Sequence, residues 1–425
     1  MKVLLVNTSD NTGGAAVAAT RLMNALSHNG IDVRMMVRDR KTQDERVFRQ
    51  PLPLWKRLLG CIVPGGSFSK AMERLLLLPK LNYDRTNMWA IDDATCGTDI
   101  SHSKAFTEAD VIHIHWVNQG MLSMADIRSI MLSGKRIVWT MHDLWNATSL
   151  CHYAGDCEAF RNAERPCSGC HLLPEKSRAY AEKAWKAKRE TWLTGKDRLS
   201  FVTCSEWLGA EAKSSTMLQG FDVQAIPNPI DTALYRRTDK TAARQKLGLP
   251  ENKRIILFVS QKVTDERKGA QFFIDAVNSL AAKRQDIGVA ILGGNGEEVA
   301  RQLKTGTSIL GYITDQQTIV SVYNAADVFV LPSLQDNLPN TIMEAMACGV
   351  PCVGFDIGGI PEMIDHRMTG IIAPPRDTEA LANGIAYCLD DENHDRLSEG
   401  CLMKVQKRYS EKAVAKAFTD LYSAK

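Results

Sequence analysis

Along the whole chain, short runs of apolar residues alternate with longer stretches whose apolar positions recur every three or four residues. Runs of the first kind predict buried strands, and stretches of the second kind predict helices packed on one face. Their alternation is the pattern of a βα protein with parallel sheets. The first half offers the strands KVLLVN, DVRMMV, ADVIHIHW, RIVWTMH and LSFVTCS; the second offers RIILFVSQ, GVAILGG, SILGYI, ADVFVLPS, VPCVGFD and TGIIAP. Between the two series lies VQAIPNPIDTALY, whose prolines and turn residues read as a linker. The pattern therefore predicts two doubly wound units, residues 1–222 and 223–407. A terminal amphipathic helix, 408–425, has no strand after it and is expected to cross back to the first unit. Ligands of such sheets sit beyond the carboxyl ends of the strands, so functional residues should follow strands.

Composition adds bounds rather than answers. The 425 residues are 44% apolar and 24% charged, as in ordinary globular proteins. A formal net charge of +3 is too small to point to nucleic acid. The apolar run in MKVLLVN is too short for a signal sequence, and LLLL at Leu75–Leu78 is hemmed by Arg74 and Pro79, so a cytoplasmic protein is expected. In that compartment eleven cysteines suggest thiols or metal ligands before disulfides.

Several motifs do follow strands. Gly13 and Gly14 come after the first one and open a helix, where a backbone free to turn meets unpaired amides able to hold an anion. Neither a full dinucleotide fingerprint nor a Walker A sequence is present. His113 and His115 share one face of their strand, and His142 with Asp143 ends the next, placed to bond a hydroxyl or carry a proton. Lys268 stands directly before Gly269 and a helix, the wrong sign for the helix dipole unless an anion is bound there; Lys262 and Arg267 add positive charge. In SLQDNLPNTIMEAMACGVPCVGFDIGGIPEMI, Asp336 lies in the loop after ADVFVLPS and Glu344 in the following helix, among residues that otherwise read as core. Asn340 and Thr341 fall in that helix's first turn, and Glu362 repeats the arrangement after Gly358 and Gly359.

Asp336 and Glu344, followed by AMACGVPCVGFDIGGIPE and preceded by NAADVFVLPS, resemble the donor-site signature of the family 4 retaining glycosyltransferases of GT-B fold. The glycine pair, HDLW, PNPID, the lysine–glycine pair and GYITD keep the same order along nearly the whole chain. The resemblance implies an α/β fold of two facing Rossmann-like domains, the first binding acceptor and the second a UDP- or GDP-sugar. It assigns the ribose hydroxyls to Glu344, donor-sugar hydroxyls to Asp336, where the family has glutamate, and the diphosphate to Lys268. Gly14 would approach the phosphates, His142 the transferred sugar, and the backbone at Tyr312 and Ile313 the base. The family's second phosphate-binding cation has no obvious counterpart; Gln261 or Lys262 occupies that region. Asn340 and Thr341 resemble a subgroup that assembles surface polysaccharide. Catalysis would need no metal, and no Asp-x-Asp pair stands at a strand end, Asp92–Asp93 falling in a turn-like segment.

Two further segments carry chemistry. Cys151, Cys157, Cys167 and Cys170 lie in the loop 150–171 after HDLW, a count and closing C-x2-C that match structural zinc, with reduced thiols or a redox disulfide as alternatives. Residues 51–85 mix Trp55 and leucines with Lys56, Arg57, Lys70, Arg74 and Lys80; this basic arm suits either the inner membrane face, with a lipid-linked acceptor, or a helical insert on the first sheet. A GT-B-like sugar-nucleotide epimerase, or a zinc-stapled protein that binds without catalysis, are the competing readings.

Overall fold

A computed structural model describes residues 1–63 and 66–424; Pro64, Gly65 and Lys425 lie outside it, so the arm 51–85 and the terminal helix are described without them. The chain forms two compact units, Met1–Ile226 together with Ala415–Lys425, and Pro227–Val414.

Strands of the first unit are β1 (Lys2–Ser9), β2 (Asp32–Asp39), β3 (Val47–Arg49), β4 (Val111–Ile114), β5 (Arg136–Met141), β6 (Leu199–Thr203) and β7 (Asp222–Ala225). They pair in the order β3-β2-β1-β4-β5-β6-β7, every neighbour parallel. Seven of the eight residues of β1 are buried, as a strand covered on both faces requires. Helix Gly14–His28 lays Ala18, Ala19, Leu22 and Leu26 against the sheet. Gly13 starts it with φ +88°, a conformation that disfavours any side chain. No atom lies within 4 Å of where a Cβ would stand, so conformation and not space selects the glycine.

The core is aromatic. Trp139, Trp192 and Phe201 meet edge to face, with Trp139 and Trp192 5.0 Å apart. Each buried indole also donates to a carbonyl: Trp139 to His115, Trp145 to Asp92 and Trp192 to Asn146. The same rings that fill the core thus pin the loops leaving β4 and β5.

Strands of the second unit are β8 (Arg254–Lys262), β9 (Ile287–Gly294), β10 (Thr307–Gly311), β11 (Val328–Leu331), β12 (Cys352–Phe355) and β13 (Gly370–Ala373). Their order is β10-β9-β8-β11-β12-β13, again parallel. Asp327, at the start of β11, is buried in pairs with Lys240 (2.7 Å) and Arg244 (2.5 Å) and accepts from the Ile255 amide, tying β11 to β8.

The expected strands are all present, and two short ones, β3 and β7, are additional. β7 takes up the first residues of the expected linker, because Val223 and Ala225 pair with Phe201 and Thr203; the boundary falls at Ile226/Pro227 and not at 222/223. A π-turn at Val405–Tyr409 precedes the last helix, Glu411–Ser423, whose residues from Ala415 belong to the first unit. There Tyr422 shares a 2.6 Å hydrogen bond with His113 Nδ1, and Arg136 donates to the Leu421 carbonyl.

Candidate active site

In the second unit the residues singled out from the sequence converge where β8 and β11 end. Gly269 follows Lys268 with φ +70°, and a Cβ there would overlap the Pro332 carbonyl oxygen. The loop after β8 therefore lies directly on the loop after β11, and the Leu334 amide donates to the Arg267 carbonyl at 2.7 Å. This contact brings Lys268 Nζ to 2.5 Å from Asp336 Oδ2, which also accepts from Ser333 at 3.0 Å. The Asp336 carbonyl in turn packs against Gly358, whose φ is +58° and whose Cβ would overlap it, so the loop after β12 joins the same cluster.

Glu344 lies in helix Asn340–Ala347, buried, and accepts a 2.6 Å hydrogen bond from the Tyr323 hydroxyl. Burial, then the charge of Glu344, raise the Tyr323 phenol well above its usual pKa, so it stays a donor. Tyr323 was not legible as a site residue, because its helix Gln316–Ala325 reads as ordinary core. Asn340 accepts from Asn228 at 3.3 Å, and Thr341 is in the same first turn. Glu362 pairs with Arg408 at 3.5 Å. Tyr312 and Ile313 follow β10, with β9 between that strand and β8, and Lys262 is exposed at the end of β8.

In the first unit the polar ends of β4 and β5 form a row of imidazoles. His113 stacks on His115 at 4.4 Å, His115 Nδ1 meets His142 Nε2 at 3.1 Å, and His142 Nδ1 meets the Cys204 thiol at 3.5 Å. Burial drives the pKa of His113 down to about 3 and that of His142 to about 4, against a smaller opposing pull from Asp143 on the latter. His142 is thus a neutral imidazole, suited to hydrogen bonding rather than to storing a proton at neutral pH. Asp143 points elsewhere, accepting from Trp116 Nε1 and the Trp145 amide and pairing with His152 at 2.9 Å. Gly13 and Gly14 open their helix as expected.

Cys151, Cys167 and Cys170 each feel the charge of another thiol in the loop 150–171, yet all four cysteines there are free and none is in a disulfide. Among the described residues no group of three or more His, Cys, Asp or Glu side chains is placed to hold a metal ion. This arrangement does not fit the tetrahedral zinc site that the spacing suggested. Burial instead keeps Cys151, Cys167 and Cys170 protonated, pushing Cys151 up to about 12 and Cys167 to about 11. What ties this region is Lys188, buried over the Trp145 ring at 3.5 Å and donating to the Trp145 and Thr148 carbonyls at 2.8 and 3.2 Å.

A cavity of about 1140 Å³ opens in the first unit beside the ends of β1 and β2, with Arg38, Arg49, Gln50, Lys70 and Trp116 in its wall. The basic residues after β2 were visible in the sequence, but nothing in their spacing showed that the arm folds back to meet them.

Two parallel, doubly wound units, each presenting polar loops at its strand ends, make this an α/β protein of the GT-B glycosyltransferase architecture. Residues 12–234 match the model of "Glycosyltransferase Family 4" and residues 253–391 that of "Glycosyl transferases group 1". The chain belongs to glycosyltransferase family 4. It is similar to N-acetyl-alpha-D-glucosaminyl L-malate synthase of Bacillus anthracis, 28% identical over 47% of this chain and 53% of the relative. A D-inositol 3-phosphate glycosyltransferase of Corynebacterium urealyticum is 24% identical over 74% of this chain and 71% of its own. The chain spans about half the length of the first curated relatives it matches. Among solved structures, Anabaena Alr3699/HepE in complex with UDP superposes with a TM-score of 0.62 at 16% identity, over 100% of both chains.

Proposed function

We propose that the chain is a retaining glycosyltransferase that moves a sugar from a UDP- or GDP-sugar to a saccharide acceptor in surface polysaccharide assembly. The observation that carries this reading is the convergence of Lys268, Asp336 and Ser333 on loops held together by Gly269 and Gly358. Breaking the bond between an anomeric carbon and a diphosphate leaves charge on the departing phosphates, and a fixed ammonium stabilises it as it forms. Before donor binds, Asp336 neutralises Lys268; an arriving diphosphate competes for that ammonium and leaves Asp336 to meet sugar hydroxyls. Glu344, set by Tyr323, takes the ribose. The activities for which the relatives are named support sugar transfer, and UDP in the Anabaena protein supports a nucleotide-linked donor.

The acceptor in this reading is lipid-linked and met at the inner membrane face. Helix Leu54–Cys61 supports that, exposing Leu54, Trp55 and Leu58, with Ile62 just after it and Lys56 and Arg57 on its flank. Among the described residues no helix is long and apolar enough to cross a membrane, so the contact proposed is peripheral. Leu77 and Leu81 of the same arm are buried in the core and anchor it.

A thermal-shift screen of UDP-, GDP- and ADP-sugars tests the donor class, since a ligand bound only by the native state raises apparent stability. Turnover by Lys268→Ala and Glu344→Ala at the parent rate, with both folded, would remove the site assignment. Donor consumption without acceptor carbohydrate, yielding an epimer, would favour the epimerase. Turnover that survives a chelator is expected of the metal-independent chemistry proposed.

A further inference from the structure

The cavity in the first unit is lined by seven cationic side chains and a single carboxylate, Asp39. That excess is local, because the whole chain carries only +3. Three of the cations are satisfied by protein groups. Arg38 pairs with Asp39 at 2.5 Å and donates to the Gln119 carbonyl; Arg40 donates to the Thr42 and Asp44 carbonyls, and Lys56 to Gly97 and Thr98. Lys41, Arg49, Arg57 and Lys70 have no side-chain partner among the described residues.

The wall that carries them is fixed. Both oxygens of the buried Asp10 accept from the Lys41 and Thr42 amides at 2.8 Å, holding the loop after β2. Helix Phe68–Leu77 starts directly on Gly120, where a Cβ would overlap the Ser69 and Lys70 backbone. Lys70 is therefore held facing Arg38. Burial first, and then the charge of Arg38, pull its pKa below the usual lysine value. Convergent cations repel one another, and Asp39 offsets only part of this at Lys70, so an anion joining them is favoured. Gln50, 5% exposed, adds a buried amide oxygen with no hydrogen-bond partner among the described residues, suited to accept from a sugar hydroxyl.

We propose that this cavity is the acceptor site and that the acceptor carries a phosphate, held by Lys70 and Arg49 beside the prefixed Arg38 while Gln50 reads the attached sugar. Four unpaired cations exceed what one carboxylate would neutralise, which favours a phosphate ester over a uronate. The assignment of the cavity to acceptor rests on the transferase reading above; the phosphate chemistry does not.

The test uses the full chain carrying Lys268→Ala, so that phosphate cannot bind at the donor loops. Glucose 1-phosphate is titrated calorimetrically into this protein and into the same protein with Arg49→Ala and Lys70→Ala added. Both added changes are outside the core, and a matching melting curve confirms the fold. The expected result is binding about a hundredfold weaker with the two cations removed, a charge-assisted contact being worth roughly tenfold each. Glucuronic acid is expected to bind more weakly than glucose 1-phosphate. Equal affinity of the two proteins for glucose 1-phosphate, or glucuronic acid binding as tightly, overturns the proposal. Phosphatidylcholine vesicles with and without phosphatidic acid then separate the sources. Sedimentation with phosphatidic acid that is lost with Arg49 and Lys70 assigns a lipid-borne phosphate, and its absence alongside glucose 1-phosphate binding assigns a soluble one; either keeps the phosphate site. UDP binding to the parent chain is measured separately, so failure of the transferase reading shows there and not in these titrations.

Discussion

Gly269→Ala puts the joint between the loops of Lys268 and Asp336, the proposed donor site, under direct test. Gly269 and Gly248 share a left-handed backbone, at φ +70° and +66°. Alanine at either position costs about 1–2 kcal/mol of backbone strain. Their surroundings differ: no atom lies within 4 Å of a Cβ at Gly248, whereas one at Gly269 would overlap the Pro332 carbonyl, far inside the 3.0 Å that side chains keep. Relief of that overlap must separate the Lys268 loop from the Asp336 loop by on the order of 1 Å, and displacements of that size in a positioned group can cost about a hundredfold in rate. Gly248→Ala should therefore lower the melting temperature and leave donor binding intact. Gly269→Ala should lower it by more and raise the donor Kd or KM at least tenfold. Calorimetric titration of the donor identified by the screen, beside thermal melts, reads both. If the two variants bind donor equally, the claim that this glycine joint positions Lys268 is refuted.

Tyr323→Phe removes the hydroxyl that donates to Glu344; a stability loss of about 1–3 kcal/mol and weaker donor binding are expected, and a fall in stability without change in donor Kd would mark Tyr323 as structural only. Lys188→Met leaves the Trp145 and Thr148 carbonyls without their donor in a buried site and should cost a few kcal/mol in melts, whereas a chelator should leave the melting temperature unchanged; stoichiometric zinc in purified protein would reverse that view. Acid should destabilise the first unit. The pKa values of His113 and His142 are depressed in the fold, so their contribution is present above the unfolded value near 6.5 and is lost as pH falls below it, by about 1 kcal/mol per group per unit until the folded values near 3 and 4. His152 runs the other way: burial lowers it, but Asp143 outweighs burial, so its net-raised pKa adds stability present below 6.5 and lost as pH rises through the folded value. Melts between pH 7.5 and 5 should fall toward acid, and replacing His113 with Gln should flatten the profile.

Much of this protein is written in its residue order. Alternating apolar runs and amphipathic stretches are local, so they announced two parallel sheets and nearly every strand. The residues that meet where β8 and β11 end were legible as candidates too, because a lysine before glycine at a helix start and carboxylates inside apolar segments conflict with packing alone. Tertiary structure decided what depends on distance through space. The short strands β3 and β7 exist because of the neighbours they pair with, and three residues of suspected linker became sheet for that reason. Four cysteines with suggestive spacing turned out to be free thiols, two of which, Cys151 and Cys167, feel the charge of Lys188, a residue well along the chain that no spacing rule connects to them. The basic cavity is of the same kind: Arg38, Arg49 and Lys70 come from separate elements, and only the docking of a helix start on Gly120 sets them facing one space. Periodicity reports what each segment buries, while the identity of the burying partner is fixed only when the chain folds.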